Sequence, residues 1–159
     1  MTIKYFAYGS NLDLPQMKRR CPSSKLISKG SLSGYRLTFN TFSSGWGGGV
    51  ADVIQDQGSK VWGLVFELSD TDLERLDRYE GYHKDWTSLY ERWKTVIDTP
   101  NGQVSDVWVY TVVEKQKFVK PTPEYLQIIK DAAMKWNFPK AYLLEAYVYS
   151  TEDKEVEWK

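Results

Sequence analysis

The sequence predicts an α+β domain, a single mixed, barrel-like β-sheet with peripheral helices, and three observations carry that expectation. Alternating and β-branched runs recur through the first two thirds of the chain, an Asn101-Gly102 pair joins two of them, and after Pro121 the apolar residues change to helical spacing. With 159 residues the chain has the size of one domain. Chains of this length bury about 68–70% of their surface on folding, enough for a core without staples. Residues 1–159 are therefore expected to form one unit.

The elements follow in order. Ile3 to Tyr8 is β-branched and aromatic and is stopped by Gly9-Ser10-Asn11, so it reads as a buried strand. Asn11 or Asp13 can cap a short helix over Leu14 to Arg20, with Pro15 in its first turn. Tyr35 to Phe42 alternates as a half-buried strand, and the glycines of residues 45–49 suit a sharp bend before Val50 to Ile54. Lys60 to Leu68 carries Trp62, Leu64, Phe66 and Leu68 on one face and Val61 and Val65 on the other, as a central strand does.

Ser69 to Glu80 reads as a helix. Ser69 and Asp72 form a capping-box pair, Leu73 and Leu76 face inward, and Gly81 closes the end. Ser88 to Asp98 and Gln103 to Val113 form a hairpin across Thr99-Pro100-Asn101-Gly102. Thr122 and Pro123 then open a helix with Leu126, Ile129, Ala133 and Trp136 on one face. Pro139 begins a second helical piece with Tyr142, Leu143 and Ala146, before a charged tail, Thr151 to Lys159, expected to fray.

Composition excludes several classes. Twenty-one basic residues balance twenty-one acidic ones, so no phosphate backbone is indicated as a partner. The densest basic run, Lys18-Arg19-Arg20, reads as a solvated helix face. A single cysteine, Cys21, forbids an internal disulfide, and with a single histidine, His83, a Cys/His metal site is not expected. Cys21 reads as a semi-buried small hydrophobe at a helix end and His83 as a loop residue, which leaves no Ser-His-Asp or Cys-His nucleophile. The apolar run at the N-terminus is too short for a signal peptide and no segment could span a membrane, so the expected address is the cytoplasm. The Gly-rich stretch lacks the Lys-Ser/Thr of a phosphate loop, and Tyr8-Gly9-Ser10-Asn11 lacks the three spaced glycines of a dinucleotide fingerprint.

Two places could carry chemistry. Backbone N–H groups at Gly9, Ser10 and Asn11 would sit at a helix start, where unpaired donors attract a small carboxylate or phosphate; the plain alternative is a tight turn with a helix cap. Glu80 falls at a helix C-terminus, where the negative end of the dipole raises a carboxyl pKa and where Lys or Arg is the usual choice. Glu80 followed by Gly81 and flanked by Tyr79 and Tyr82 breaks that rule, as functional sites do; the alternative is a solvated surface carboxylate.

Taken together, Tyr5-Phe6-Ala7-Tyr8-Gly9-Ser10-Asn11-Leu12 and Leu76-Asp77-Arg78-Tyr79-Glu80-Gly81 resemble the γ-glutamyl cyclotransferase family. Gly48-Gly49-Val50-Ala51 leading to Val61-Trp62-Gly63, and Pro121-Thr122-Pro123-Glu124-Tyr125-Leu126, agree with it and come in the family's order. The resemblance implies a closed or nearly closed β-barrel, no cofactor, and a small γ-glutamyl compound as substrate, converted to 5-oxoproline. It places the γ-glutamyl group on the loop of Tyr5, Phe6, Ala7, Tyr8, Gly9 and Ser10, with Asn11 adjoining. It makes Glu80 the catalytic carboxylate and Tyr125 a substrate contact. The Gly-Ser-Asn loop is similar to the general γ-glutamyl amino acid branch. Two alternatives stay open: a non-catalytic γ-glutamyl or small-acid binding protein on the same fold, and an enzyme that trims a γ-glutamyl group from a biosynthetic intermediate.

Overall fold

Five strands close on themselves because the first strand is short and pairs on both edges. In the computed structural model, which describes residues 2–82 and 88–144, β1 (Ile3–Ala7) lies antiparallel to β3 (Gly48–Leu68) on one side. On its other side it lies parallel to β5 (Gly102–Val112). The order around the barrel is β1-β3-β2-β4-β5, with β2 at Lys25–Ser43 and β4 at Tyr90–Thr99. Closure leaves no free edge, so every strand of the sheet has two neighbours. The helices α1 (Leu14–Arg20), α2 (Asp70–Glu80) and α3 (Pro123–Lys135) lie outside the sheet. His83, Ala146 and the tail Thr151 to Lys159 lie outside the described residues.

The strands are longer than the sequence pattern suggests. Val50–Ile54 and Lys60–Leu68 belong to one continuous strand, and β2 begins at Lys25, ten residues before the alternation starts at Tyr35. The reason is pairing. Polar residues such as Gln55 and Lys60 stay extended because β2 supplies their backbone partners, Tyr35 and Ser33. Between those pairs the register shifts, with Gly34 and Gly58 both at positive φ, so the long two-stranded ribbon kinks there. The glycines of residues 45–49 make a hairpin reversal rather than a bend. Gly47 turns the chain in the left-handed region, and Gly49 lies so close to Val119 that a Cβ would overlap its backbone.

α2 forms as its sequence dictates. The Ser69 hydroxyl accepts from the Asp72 N–H, the Asp72 carboxylate accepts from the Ser69 N–H, and Gly81 ends the helix in the left-handed conformation. In α3 the Thr122 hydroxyl accepts from the Tyr125 N–H, with Pro123 in the first turn, and Leu126, Ile129 and Ala133 are buried. The hairpin turn is Pro100-Asn101, with Gly102 already in β5 at φ +112. A further helical turn covers 140–144, where Tyr142 is buried.

The core fills the barrel and the space beneath the helices. Phe6, Phe39, Leu64, Leu76, Ile97 and Ile129 are wholly buried within it. Its upper end is different. There the side chains become tyrosines, and the barrel opens into a cavity.

Candidate active site

The cavity, of about 690 Å³, sits where the end of β1, the C-terminus of α2 and the β2–β3 turn converge. Each converging element brings a specific group. β1 carries Tyr5 and Tyr8 up to the wall, then breaks into a 3-10 turn over Ser10–Leu12 instead of running straight into α1. Asp13 holds the N-cap position of α1 without a side-chain hydrogen bond. Asn11 is not a cap at all: its amide donates to the Tyr5 hydroxyl at 3.0 Å, and its carbonyl oxygen accepts from Gln16 at 3.2 Å and Arg20 at 3.0 Å.

Gly9 is glycine because Tyr125 is behind it. A Cβ there would stand 2.7 Å from the Tyr125 hydroxyl. That oxygen accepts the Ala51 N–H at 3.0 Å, and the Ser10 N–H also faces it. With its lone pairs engaged by amides, the hydroxyl has its own proton left to donate. Trp46 packs edge-on against the Tyr125 ring at 5.0 Å and holds it in place.

Glu80 ends α2 on the cavity wall. Among the described residues its carboxylate makes no hydrogen bond and no ion pair. Burial pushes its pKa up to about 7; the nearby Arg20 pulls down and Asp77 pushes up. The chief cause is desolvation among the aromatic rings of the cavity. Burial raises the pKa of Tyr5, Tyr8, Tyr90, Tyr110 and Tyr125, and the charge of this carboxylate, within electrostatic reach of all five, adds to it.

The tyrosines differ in what holds them. Tyr8 donates to the Tyr110 carbonyl at 2.6 Å, and Tyr110 donates to Asp77 at 2.6 Å. Asp77 is also gripped by Arg92 through two contacts of 2.9 and 3.3 Å, with the guanidinium over the Trp108 ring at 4.2 Å. Tyr90 lines the cavity, and its hydroxyl has no hydrogen bond among the described residues.

Of the residues singled out from sequence, Tyr5, Phe6, Tyr8, Gly9, Ser10, Asn11, Glu80 and Tyr125 all line this cavity. Ala7 does not. It is buried, and its carbonyl packs against Gly63. Sequence reasoning missed Arg20, Tyr90 and Tyr110. Lys18 and Arg19 are solvent-facing as expected, but Arg20 turns inward to Asn11 and stacks over Tyr79 at 4.8 Å. Nothing local distinguishes it from its neighbours; only the three-residue turn before α1 aims it at the cavity. Cys21 is wholly buried, its thiol donating to the Asp72 carbonyl at 3.5 Å and its pKa pushed up to about 12 by desolvation.

The fold and cavity define a closed-barrel protein with a cavity sized for a small molecule and, on its wall, a titratable carboxylate that has no partner among the described residues. Comparison with known proteins makes this specific. The family model described as gamma-glutamyl cyclotransferase, AIG2-like, matches residues 5–136. Gamma-glutamylcyclotransferases of Bos taurus and Homo sapiens are each 30% identical over 142 residues, covering 87% of this chain and 73% of theirs. A solved structure described as a gamma-glutamyl cyclotransferase superposes with a TM-score of 0.85 at 26% identity, covering 100% of this chain and 94% of its own. The chain belongs to the γ-glutamyl cyclotransferase, AIG2-like family, and is an enzyme. Among the described residues no helix is long and apolar enough to cross a membrane.

Proposed function

We propose that the protein is a γ-glutamylcyclotransferase that converts small γ-glutamyl compounds to 5-oxoproline, with Glu80 as the proton carrier. The observation that carries this reading is the Glu80 carboxyl, without a partner among the described residues and pushed up to about 7, on the wall of the tyrosine-lined cavity that also holds the Gly9–Asn11 turn.

In the reaction the substrate's α-amino nitrogen attacks its own γ-carbonyl carbon. The new C–N bond closes a five-membered lactam, the old γ-amide C–N bond breaks, and the ammonium proton ends on the departing amine. Holding the chain curled supplies proximity, worth roughly 7–11 kcal/mol in well-oriented intramolecular reactions. The turn at Gly9, Ser10 and Asn11, the Tyr125 hydroxyl and the cation of Arg20 suit the α-carboxylate. The hydroxyl of Tyr90, on the cavity wall and without a hydrogen bond among the described residues, suits the γ-carbonyl oxygen as charge develops there.

Glu80 takes the proton from the α-ammonium and returns it to the leaving nitrogen. An ordinary glutamate near 4.3 facing an amine near 8 makes the first transfer uphill by on the order of 5 kcal/mol. With Glu80 at about 7 the gap falls to about one unit, on the order of 1.4 kcal/mol. The tyrosine cage is thus what makes this carboxylate a competent base near neutral pH.

The test is formation of 5-oxoproline from a panel of γ-glutamyl compounds. Turnover should require a free α-amino group and a free α-carboxylate; equal turnover of an α-methyl ester would remove the carboxylate grip. Tyr125→Phe should lower kcat/KM about tenfold and leave the Ala51 N–H without its acceptor. A cytoplasmic address fits a chain whose only cysteine is a buried thiol.

A further inference from the structure

The mouth of the cavity has a chemistry different from its depth. Phe42 is 52% exposed, Tyr79 54% and Leu89 74%, and all three stand on the cavity wall. They come from separate elements: the end of β2, the last turn of α2, and the residue before β4. Trp46, from the β2–β3 turn, joins them on the same wall and reaches down to Tyr125. Singly exposed apolar side chains are ordinary, but three of the eight large ones exposed among the described residues gather round this one opening.

The backbone that carries Leu89 is held on both sides. The Leu89 N–H donates to the Gly81 carbonyl at 3.2 Å, and its own carbonyl accepts from Val113 at 3.0 Å. Tyr79 lies beneath the Arg20 guanidinium. Among the described residues the charged groups on the wall are Arg20, Arg78 and Glu80, so the described part of the mouth offers a cation, Arg78.

We propose that this mouth is a specificity subsite for the departing half of the substrate, and that it selects γ-glutamyl amino acids with large apolar side chains. The proposal rests on the cyclotransferase reading above. With the glutamyl head among Glu80, the tyrosine hydroxyls and the Gly9–Asn11 turn, the departing amino acid lies in the opening. An isobutyl or benzyl side chain there covers Phe42, Leu89 and Trp46 and removes apolar surface from water on both partners. Its carboxylate can face Arg78. A departing lysine side chain meets the like charge of Arg78.

The experiment compares kcat/KM for γ-glutamyl-leucine, γ-glutamyl-glycine and γ-glutamyl-lysine in the wild type and in Phe42→Ser/Leu89→Ser. Both replaced side chains are largely exposed, so the variant should fold. The leucine compound should exceed the glycine compound about tenfold, as partial burial of a side chain in an open apolar subsite allows, and the lysine compound by more. In the double variant the leucine-to-glycine ratio should fall to about twofold or less. A wild-type ratio near one, a ratio untouched by the double variant, or a lysine compound equal to leucine would each overturn the subsite. Calorimetric Kd values for the same compounds separate this idea from the one beneath it. If no compound yields 5-oxoproline, the cyclotransferase reading fails. Even then, tighter leucine binding that vanishes in the double variant sustains the subsite, and equal Kd values remove it.

Discussion

Two carboxylates at the same end of the barrel show opposite uses of burial. Asp52, in β3, is wholly buried, and its oxygens accept from Asn40 at 2.8 Å, from the Val112 N–H at 3.0 Å and from Lys115. It ties β2, β5 and the segment after β5 together. Glu80, across the cavity, is desolvated with no donor of its own among the described residues, and its pKa rises to about 7. One is an anchor because both its oxygens have donors. The other has no such partner among the described residues. Burial alone does not say which a carboxylate will be; the donors around it do.

The largest effect that can break this comparison is on turnover. Glu80→Gln keeps the shape and removes the base, and kcat should fall by roughly 10²–10⁴-fold with substrate affinity far less affected. A fall below about tenfold in a folded variant would take Glu80 out of this role. Near-complete loss of binding with kcat retained would make it a ligand for the ammonium group instead.

Next comes Asp52→Ala, which takes an acceptor from Asn40, the Val112 N–H and Lys115, the last of which keeps the Val112 carbonyl. Hydrogen bonds to charged groups contribute about 1.5–3 kcal/mol, and half-exposed Lys115 can turn to water, so a loss of about 3 kcal/mol is expected from urea unfolding. An unchanged midpoint would mean that Asp52 is not an anchor.

Glu80→Gln should do the reverse to stability. Its folded pKa of about 7 exceeds the unfolded value, so the folded state binds the extra proton between them. Whatever protonated Glu80 contributes is fully present below pH ~4.5 and is lost as pH rises through about 7. The variant should therefore be more stable than the wild type at pH 8, by about 1–3 kcal/mol, and close to it at pH 5. Equal stability at both would show that Glu80 is not desolvated.

The smallest effect concerns Asp77, one helical turn before Glu80. Its charge pushes the Glu80 pKa up, so Asp77→Asn should move the acid limb of the kcat/KM–pH profile to lower pH. Movement the other way would mean that Asp77 reaches Glu80 only through Arg92 and Tyr110.

Local rules determined a good deal of this protein from sequence alone. The capping box and glycine stop of α2 placed Glu80 at the end of a helix, and the Thr122-Pro123 start placed Tyr125 in the first turn of another. Both rest on backbone groups within a few residues of one another, so a short stretch of sequence contains all the partners. Tertiary structure alone decided the rest. β2 and β3 run through polar residues because pairing satisfies their backbones whatever the side chains are. Arg20 faces the cavity rather than water, Asn11 braces Tyr5 rather than capping α1, and Tyr90 and Tyr110 close round Glu80 from the far hairpin. The physical reason is that desolvation, which sets the Glu80 pKa, is a sum over neighbours brought in from β1, β4, β5 and α3. Those neighbours lie far apart in the chain, and only barrel closure brings them within reach of one carboxylate.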